Sequence, residues 1–263
     1  MVLAFGDRKI EAAWWGPPPG ERPTIVLLHE GLGCIALWRD LPGKLAEATG
    51  CGVFAASRAG YGGSDPVPLP RPLSYMHDEA SGDLPAALSA AGIERCILLG
   101  HSDGASIAAI YAGSAYDPRV RGLVLIAPHF FAEEMGLRAI EAARAAYEQG
   151  DLRERLARYH ADPDVAFRGW AGAWLDPRFR SWRIDEFLPY IRLPMLLIQG
   201  EDDQYGTMAQ LQAAVDLAYG PVETLLLPGV RHAPHLEAPE QVLGAVTGFA
   251  HRLFEVHEPA HGK

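Results

Sequence analysis

Short apolar runs alternate with longer amphipathic stretches along most of the chain. The apolar runs read TIVLLHE (24–30), GVFAAS (52–57), CILLG (96–100), GLVLIAP (122–128), PMLLIQG (194–200) and VETLLLPG (222–229), and KIEAAWW (9–15) is also strand-like. Continuous runs of four to six apolar residues are typical of parallel strands that are covered on both faces. The pattern therefore predicts a sheet whose strands are mostly parallel.

Helical stretches connect several of these runs. Residues 39–49, 74–91 and 104–115 have helical patterns, with Ser74 as a suitable N-cap for the second. Pro85 lies inside that second stretch and predicts a kink or a break there. Because strands and helices alternate, the predicted fold class is α/β: a mostly parallel, doubly wound sheet with helices on both faces.

Residues 130–190 interrupt this alternation. They contain no convincing strand, are helical in composition, and include a segment rich in tryptophan and arginine. We interpret them as a helical lid inserted over the edge of the sheet. The predicted organisation is 1–129 for the first part of the α/β core, 130–190 for the helical lid, and 191–263 for the second part of the core.

Composition narrows the functional classes. The 263 residues are 49% hydrophobic, which suits one compact domain with an insertion or two small ones, and the net charge is −10. No cluster of Lys and Arg suggests a nucleic-acid partner, and no apolar run is long enough to span a membrane. No signal peptide is apparent and the cysteines Cys34, Cys51 and Cys96 form no CxxC motif, so we expect a cytoplasmic protein without disulfides or a metal site.

The segment GHSDG (100–104) is the strongest chemical signal in the chain. It is a G-x-S-x-G motif that follows an apolar run and precedes a helical stretch. Such a motif supplies a sharp strand-to-helix turn that exposes the hydroxyl of Ser102. A serine hydroxyl becomes a strong nucleophile only when a base removes its proton, so a histidine and an acid are expected elsewhere.

Two later loops offer these partners. Asp203 follows the run MLLIQG and His232 follows the run VETLLLPG, so each comes just past the carboxyl end of a strand. The order serine, acid, histidine is the one found in hydrolases with this motif. Asp202 competes with Asp203, and His235 competes with His232; the spacing from Gly200 favours Asp203.

Taken together, these motifs resemble the α/β-hydrolase fold superfamily, in its lid-bearing serine esterase-like branch. LLHEGLG resembles the oxyanion loop, SRAGYGGSD the glycine-rich turn, GHSDG the nucleophile elbow, GEDDQYGT the acid loop and RHAPHLEAPEQV the histidine loop. The resemblance implies that Ser102 is the nucleophile, that His232 is the general base and acid, and that Asp203 orients the imidazole. It also places the first histidine of its loop, not His235, in the site.

The resemblance also implies an oxyanion hole made of two backbone N–H groups. One belongs to Asp103, and the other comes from the HEGLG loop, where we favour Gly31 over Leu32. Glu30 occupies the position of a commoner glycine in this loop. Because a carboxylate facing the developing negative charge would oppose catalysis, we predict that the Glu30 side chain points away.

Several residues are expected to line a substrate pocket or to be structural. His129, Phe130, Trp170 and Trp174 are the pocket candidates, although for most of the tryptophans a place in the insertion's own core is the better interpretation. We expect His101 to be structural. We also expect Arg58 to pair with Asp65.

The predicted function is hydrolysis of a small-molecule carboxylic ester through an acyl-enzyme, without a cofactor. The alternatives are the same triad acting on C–C bonds of ring-fission diketones, on lactones or on thioesters, or a non-catalytic small-molecule sensor on the same fold. Relatives that open epoxides or remove halides carry an aspartate at the elbow, so Ser102 disfavours those reactions. The expected partner is a small-molecule substrate, and either a monomer or a homodimer fits the sequence.

Overall fold

The computed structural model describes residues 1–5 and 8–255, and these residues form one eight-stranded sheet. The strands are β1 (Val2–Phe5), β2 (Arg8–Trp15), β3 (Thr24–Leu28), β4 (Gly52–Ala56), β5 (Cys96–His101), β6 (Val120–Ile126), β7 (Met195–Gly200) and β8 (Val222–Leu227). Their order across the sheet is β1-β2-β4-β3-β5-β6-β7-β8. The last part of the predicted segment 191–263, residues 256–263, lies outside the described residues.

Six of the strands, β3 to β8, run parallel, while β1 and β2 form an antiparallel edge. This confirms the predicted mostly parallel sheet. The edge strand β1 is an addition that the apolar pattern did not predict. The chain passes from β3 to β4 on one side and then returns to place β5 on the other side of β3. Strand order therefore reverses between β3 and β5, and the carboxyl ends of strands at such a point are the usual place for a ligand site.

The inner parallel strands, β3 to β7, bury both of their faces, whereas the edge strand β8 is largely exposed. In β3, Ile25 and Leu27 pack into one layer of the core, whereas Val26 and Leu28 pack into the other. The alternation follows from the two-residue period of a strand, and it explains why these runs are apolar at every position. The predicted cover of helices on both faces is confirmed.

Ten α-helices lie among the described residues. They are α1 (Leu41–Thr49), α2 (Tyr75–Asp78), α3 (Leu84–Ala90), α4 (Asp103–Ser114), α5 (Glu134–Gln149), α6 (Leu152–Leu156), α7 (Pro163–Trp174), α8 (Ala209–Leu217), α9 (Pro234–Glu237) and α10 (Pro239–Glu255). α1 and α10 cover one face of the sheet, whereas α3, α4 and α8 cover the other. None of the helices described is long and apolar enough to cross a membrane.

The predicted break near Pro85 takes the form of a π-helical turn. Residues Glu79–Asp83 form this turn between α2 and α3, and Pro85 occupies the first turn of α3. A proline cannot donate a backbone hydrogen bond, and its ring collides with the carbonyl of an ordinary α-helix four residues earlier. Widening the helix just before Pro85 relieves both conflicts.

The chain between β6 and β7 contains α5, α6 and α7 and two short 3-10 helices, Pro177–Ser181 and Asp185–Tyr190. It includes one isolated bridge, Phe131 to Arg183, but no strand among its described residues. The helical composition of this insertion agrees with the sequence pattern. Its boundaries at 130 and 190, and its role as a lid, stay predictions.

Candidate active site

Ser102 occupies the turn between β5 and α4 in a strained backbone conformation. Its φ is 53° and its ψ is −118°, values that non-glycine residues rarely adopt. The two glycines of the motif make this turn possible. A Cβ on Gly100 would lie 2.3 Å from the carbonyl oxygen of Gly104, and a Cβ on Gly104 would lie 2.0 Å from that of Leu28. Only hydrogen fits at these two positions, so α4 can start directly against β3 and β5.

Ser102, His232 and Asp203 form a continuous hydrogen-bonded chain. The Oγ of Ser102 lies 2.9 Å from Nε2 of His232, and Nδ1 of the same ring lies 2.8 Å from Oδ2 of Asp203. A carboxylate at Nδ1 keeps the ring proton there, so Nε2 is left as an acceptor toward the serine hydroxyl. The arrangement can therefore remove a proton from Ser102.

Asp203 is held by several donors besides the imidazole. Its Oδ1 accepts from the backbone N–H groups of Tyr205 (2.7 Å) and Gly206 (3.3 Å), and its Oδ2 accepts from Nε2 of Gln199 at 2.7 Å. Burial by itself would raise the pKa of Asp203, but the contact with His232 and the other hydrogen bonds outweigh it and lower the pKa. The carboxylate is thus kept charged next to the imidazole.

Asp202 and His235, the alternatives to Asp203 and His232, are not part of this hydrogen-bonded chain. Asp202 is exposed and makes no hydrogen bond to His232 within the described chain. His235 is buried, and its ring packs against Trp38 and His101 at centroid distances of 5.0 and 4.7 Å. The geometry thus leaves Asp203 and His232 as the pair that meets Ser102.

His101 lies behind the proton-transfer chain and supports it. Its Nε2 donates to the backbone carbonyl of His232 at 2.7 Å, and its Nδ1 is 3.4 Å from Oε2 of Glu30. The ring is buried and does not line the cavity beside Ser102. This position agrees with the structural part that the sequence suggested for it.

The Glu30 carboxylate is directed at the ring of His101, which itself does not line the cavity beside Ser102. Glu30 is one of the residues that line the cavity beside Ser102, and its carboxylate is turned toward His101 instead of lying free in solvent. Burial would raise the pKa of Glu30, but the hydrogen bond from the His101 ring outweighs it and holds the pKa well below its usual range. The Glu30 carboxylate is thus kept charged beside the His101 ring.

A cavity of about 100 Å³ opens beside Ser102 and His232. Its walls contain most of the predicted pocket and oxyanion residues: Gly31, Leu32, Asp103, His129, Trp170 and Trp174. Phe130 was predicted to line the pocket, and this prediction is wrong. Its backbone N–H donates to Oε1 of Gln210 at 2.7 Å, and its ring is fully buried in the core. Leaving β6, the chain turns the side chain of His129 toward the cavity and that of Phe130 away from it.

The carboxylate of Asp103 is buried and accepts a hydrogen bond. The hydroxyl of Tyr75 donates to its Oδ2 at 2.5 Å, and Nε1 of Trp174 donates to the Tyr75 hydroxyl at 3.0 Å. Burial raises the pKa of Asp103. Asp103 is also the first residue of α4 and lines the cavity.

Family comparison agrees with this architecture. Residues 25–245 match the Alpha/beta hydrolase family. The chain belongs to this family. Among the described residues of this α/β hydrolase, no group of three or more His, Cys, Asp and Glu side chains is arranged to hold a metal ion.

The hydrolase is similar to several known proteins. It is 32% identical over 130 residues to epoxide hydrolase 3 of Siraitia grosvenorii, a match that covers 49% of this chain and 39% of that protein. The chain thus spans well under half the length of the curated relatives it matches. An alpha/beta hydrolase enzyme from a Medee basin deep-sea metagenome library superposes with a TM-score of 0.77 at 17% identity, over 95% of this chain and 96% of that one. An N-acyl homoserine lactone degrading enzyme superposes with a TM-score of 0.71 at 25% identity, over 95% and 100%.

One predicted contact of this hydrolase is wrong, and its replacement involves residues that the sequence did not single out. Arg58 does not pair with Asp65, whose carboxylate accepts from the backbone N–H of Lys9 at 2.7 Å. Instead, Arg58 donates to Glu79 at 2.7 Å and to the backbone carbonyl of Glu30 at 2.9 Å. Glu79 thus holds the Arg58 guanidinium where it can bind the backbone of the loop after β3. Glu79 lies in the π-helical turn, 21 residues from Arg58. The one signal in the sequence that could have indicated this pair is an acidic residue on the buried side of that turn.

Two buried histidines near the site make the stability of the hydrolase depend on pH. Burial is the main reason that the pKa values of His129 and His235 are both lowered to about 3, whereas an unfolded histidine titrates near 6.5. Below that pH the unfolded chain takes up the protons first, so this stability is full above about pH 6.5 and is lost as pH falls.

We expect each of these histidines to lower the free energy of unfolding by about 2 kcal/mol between neutral pH and pH 5. Urea titrations at pH 7.5 and 5.0 measure the total loss. The variant His235→Gln should show a loss about 2 kcal/mol smaller than the wild type, and an unchanged loss would contradict the assignment.

Proposed function

We propose that this chain is a serine hydrolase that cleaves a small-molecule carboxylic ester through an acyl-enzyme. The observation that carries the proposal is the uninterrupted chain of hydrogen bonds from Ser102 through His232 to Asp203, which ends at a cavity of about 100 Å³. A binding protein has no need for a strained serine turn with an aligned base.

The reaction divides into two similar halves. In the first, Nε2 of His232 takes the proton of Ser102 while Oγ attacks the ester carbonyl; the imidazolium then protonates the departing alcohol. In the second, His232 takes a proton from water as the water oxygen attacks the acyl-serine, and the imidazolium returns that proton to Oγ of Ser102 as the acid leaves. Asp203 stabilises the imidazolium in both halves and fixes its tautomer.

We assign the oxyanion hole to the backbone N–H groups of Asp103 and Gly31. Asp103 begins α4, whose N-terminal amides carry partial positive charge, and Gly31 lies on the same cavity wall. Two donors aimed at the developing negative charge stabilise the tetrahedral intermediate, and removing one such donor typically costs about a hundredfold or more in rate. Leu32, which lines the same wall, is the alternative second donor.

The elbow residue argues against epoxide opening, although a curated relative is named an epoxide hydrolase. A serine hydroxyl that opened an epoxide would form an ether, and an ether cannot be hydrolysed by the water step described above. An acyl-serine ester can. The Ser102 hydroxyl thus supports acyl transfer as the reaction class.

Lactones are the second candidate substrates, because a lactone is a cyclic ester and needs no change in the machinery. The similarity to an N-acyl homoserine lactone degrading enzyme over 95% of the chain favours including them. Thioesters and ring-fission diketones would use the same serine and differ in the leaving group.

A substrate panel combined with active-site labelling tests the proposal. We expect a fluorophosphonate to label Ser102, as located by peptide mass, and we expect steady turnover of aryl esters of graded acyl length or of lactones. Thioesters, ring-fission diketones and epoxides complete the panel. A single burst without turnover on every substrate would indicate a sensor, and labelling at another residue would refute the assigned nucleophile.

A further inference from the structure

The three tryptophans between β6 and β7 differ in what their indole N–H groups contact. The N–H of Trp174 donates to the Tyr75 hydroxyl, and that of Trp182 is fully buried without a partner. The N–H of Trp170 makes no hydrogen bond to any of the described residues, yet the residue is only 7% exposed and lines the cavity beside Ser102. Buried tryptophans usually find an acceptor for this group, so the acceptor for Trp170 is expected to come from what fills the cavity.

The position of Trp170 explains why residue 31 is a glycine. A Cβ built on Gly31 would lie 2.1 Å from Nε1 of Trp170 and 2.3 Å from its Cδ1. The N–H edge of the indole, not its benzene edge, is therefore the part that lies against Gly31. Gly31 carries one of the backbone donors assigned to the oxyanion, so the indole donor and the backbone donor are neighbours on one wall.

Glu30 makes a third donor at this wall useful. Glu30 directly precedes Gly31 and is among the residues around the cavity, and its carboxylate lies 3.4 Å from Nδ1 of His101. A negative charge there disfavours a substrate oxygen that becomes negative in the transition state. A neutral N–H donor that touches this oxygen directly offsets that effect, because a hydrogen bond to a charged group is stronger than one between neutral groups.

We propose that the indole N–H of Trp170 donates to the carbonyl oxygen of the bound ester and strengthens this bond as the oxygen becomes the oxyanion. Trp170 is then a catalytic residue supplied by the helical insertion, in addition to the backbone donors. The inference rests on the proposed ester hydrolysis, since it needs a substrate whose carbonyl oxygen becomes negative.

The test is the variant Trp170→Phe, which keeps an aromatic ring and removes the donor. We expect kcat and kcat/KM to fall together by about 10- to 100-fold, with KM changed little, as for loss of an interaction made mainly in the transition state. The affinity for an aryl trifluoromethyl ketone, which forms a tetrahedral adduct with the serine, should weaken by the same factor. Affinity for the alcohol product should not change.

Two further variants separate the hydrogen bond from the shape of the side chain. Replacement of Trp170 by β-(3-benzothienyl)alanine keeps the bicyclic shape without the N–H, so it should match Trp170→Phe. Trp182→Phe serves as the matched control in the same insertion and should retain wild-type kinetics.

Several results would overturn the inference while leaving the proposed function intact. These are wild-type kinetics in Trp170→Phe, full activity in the benzothienyl variant, or an equal loss in Trp182→Phe. Absence of ester and lactone turnover in the wild-type protein would instead refute the proposed function itself.

Discussion

Replacing Ser102 by alanine is expected to abolish ester turnover and fluorophosphonate labelling. The hydroxyl is the atom that forms the acyl-enzyme, and nothing else in the chain of hydrogen bonds can take its place, since His232 then faces a methyl group. Loss of the nucleophile in enzymes of this kind lowers kcat by about a millionfold. The residual rate comes only from substrate binding and the oxyanion donors.

Steady-state kinetics on the best aryl ester and intact-protein mass after labelling measure the effect. Ser114→Ala is the control, because Ser114 is an exposed serine at the other end of the same helix, α4. It should keep wild-type turnover. Activity within tenfold of wild type in Ser102→Ala would mean that another residue is the nucleophile.

Replacing Asp203 by asparagine is expected to lower kcat by about 10⁴-fold while the protein stays folded. Both oxygens of Asp203 accept hydrogen bonds, Oδ1 from the backbone of Tyr205 and Oδ2 from Gln199, and both also lie within 2.9 Å of Nδ1 of His232. An amide NH₂ in either orientation points a donor at a donor. The imidazole then loses the acceptor that fixes its tautomer, and it no longer offers a free Nε2 to Ser102.

The neighbouring residue supplies the control for this experiment. Asp202→Asn removes the same charge one residue away, at an exposed position, and should leave kcat within about twofold, because screened surface charges have small effects. Circular dichroism and the midpoint of thermal unfolding establish that both variants are folded. Equal loss in the two variants would show that loop charge, not orientation of the imidazole, sets the rate.

The sequence predicted the parts of the fold that depend on local pattern. Strands β3, β5, β6 and β7 are apolar at successive positions because both faces are buried, and such runs are visible without any partner. The G-x-S-x-G turn was equally visible, because the close approach of Leu28 to Gly104 requires a glycine there. The edge strand β1 was missed because four residues on a half-exposed edge carry little pattern.

Contacts between distant segments were predicted poorly. Arg58 was matched with Asp65 because the two are close in sequence, whereas the actual partner, Glu79, is brought near by the π-helical turn. Likewise, no sequence pattern indicates that Tyr75 connects Trp174 to Asp103. Side-chain pairing across elements depends on how the elements pack, and apolar periodicity carries no information about it.

The way in which the insertion is fastened to the core limits how the cavity can be redesigned. Gly136 cannot be enlarged, because a Cβ there would lie 2.4 Å from the carbonyl oxygen of Tyr205. Glu133 accepts hydrogen bonds from Thr207 and Gln210, and Trp174 is tied to Tyr75. Ile140 lines the cavity from the same segment, and its aliphatic side chain makes no hydrogen bond that a substitution could break. A mutant library that seeks new acyl-chain preferences is therefore best started at Ile140. A larger or smaller side chain there changes the cavity without breaking the contacts that hold the insertion to the core.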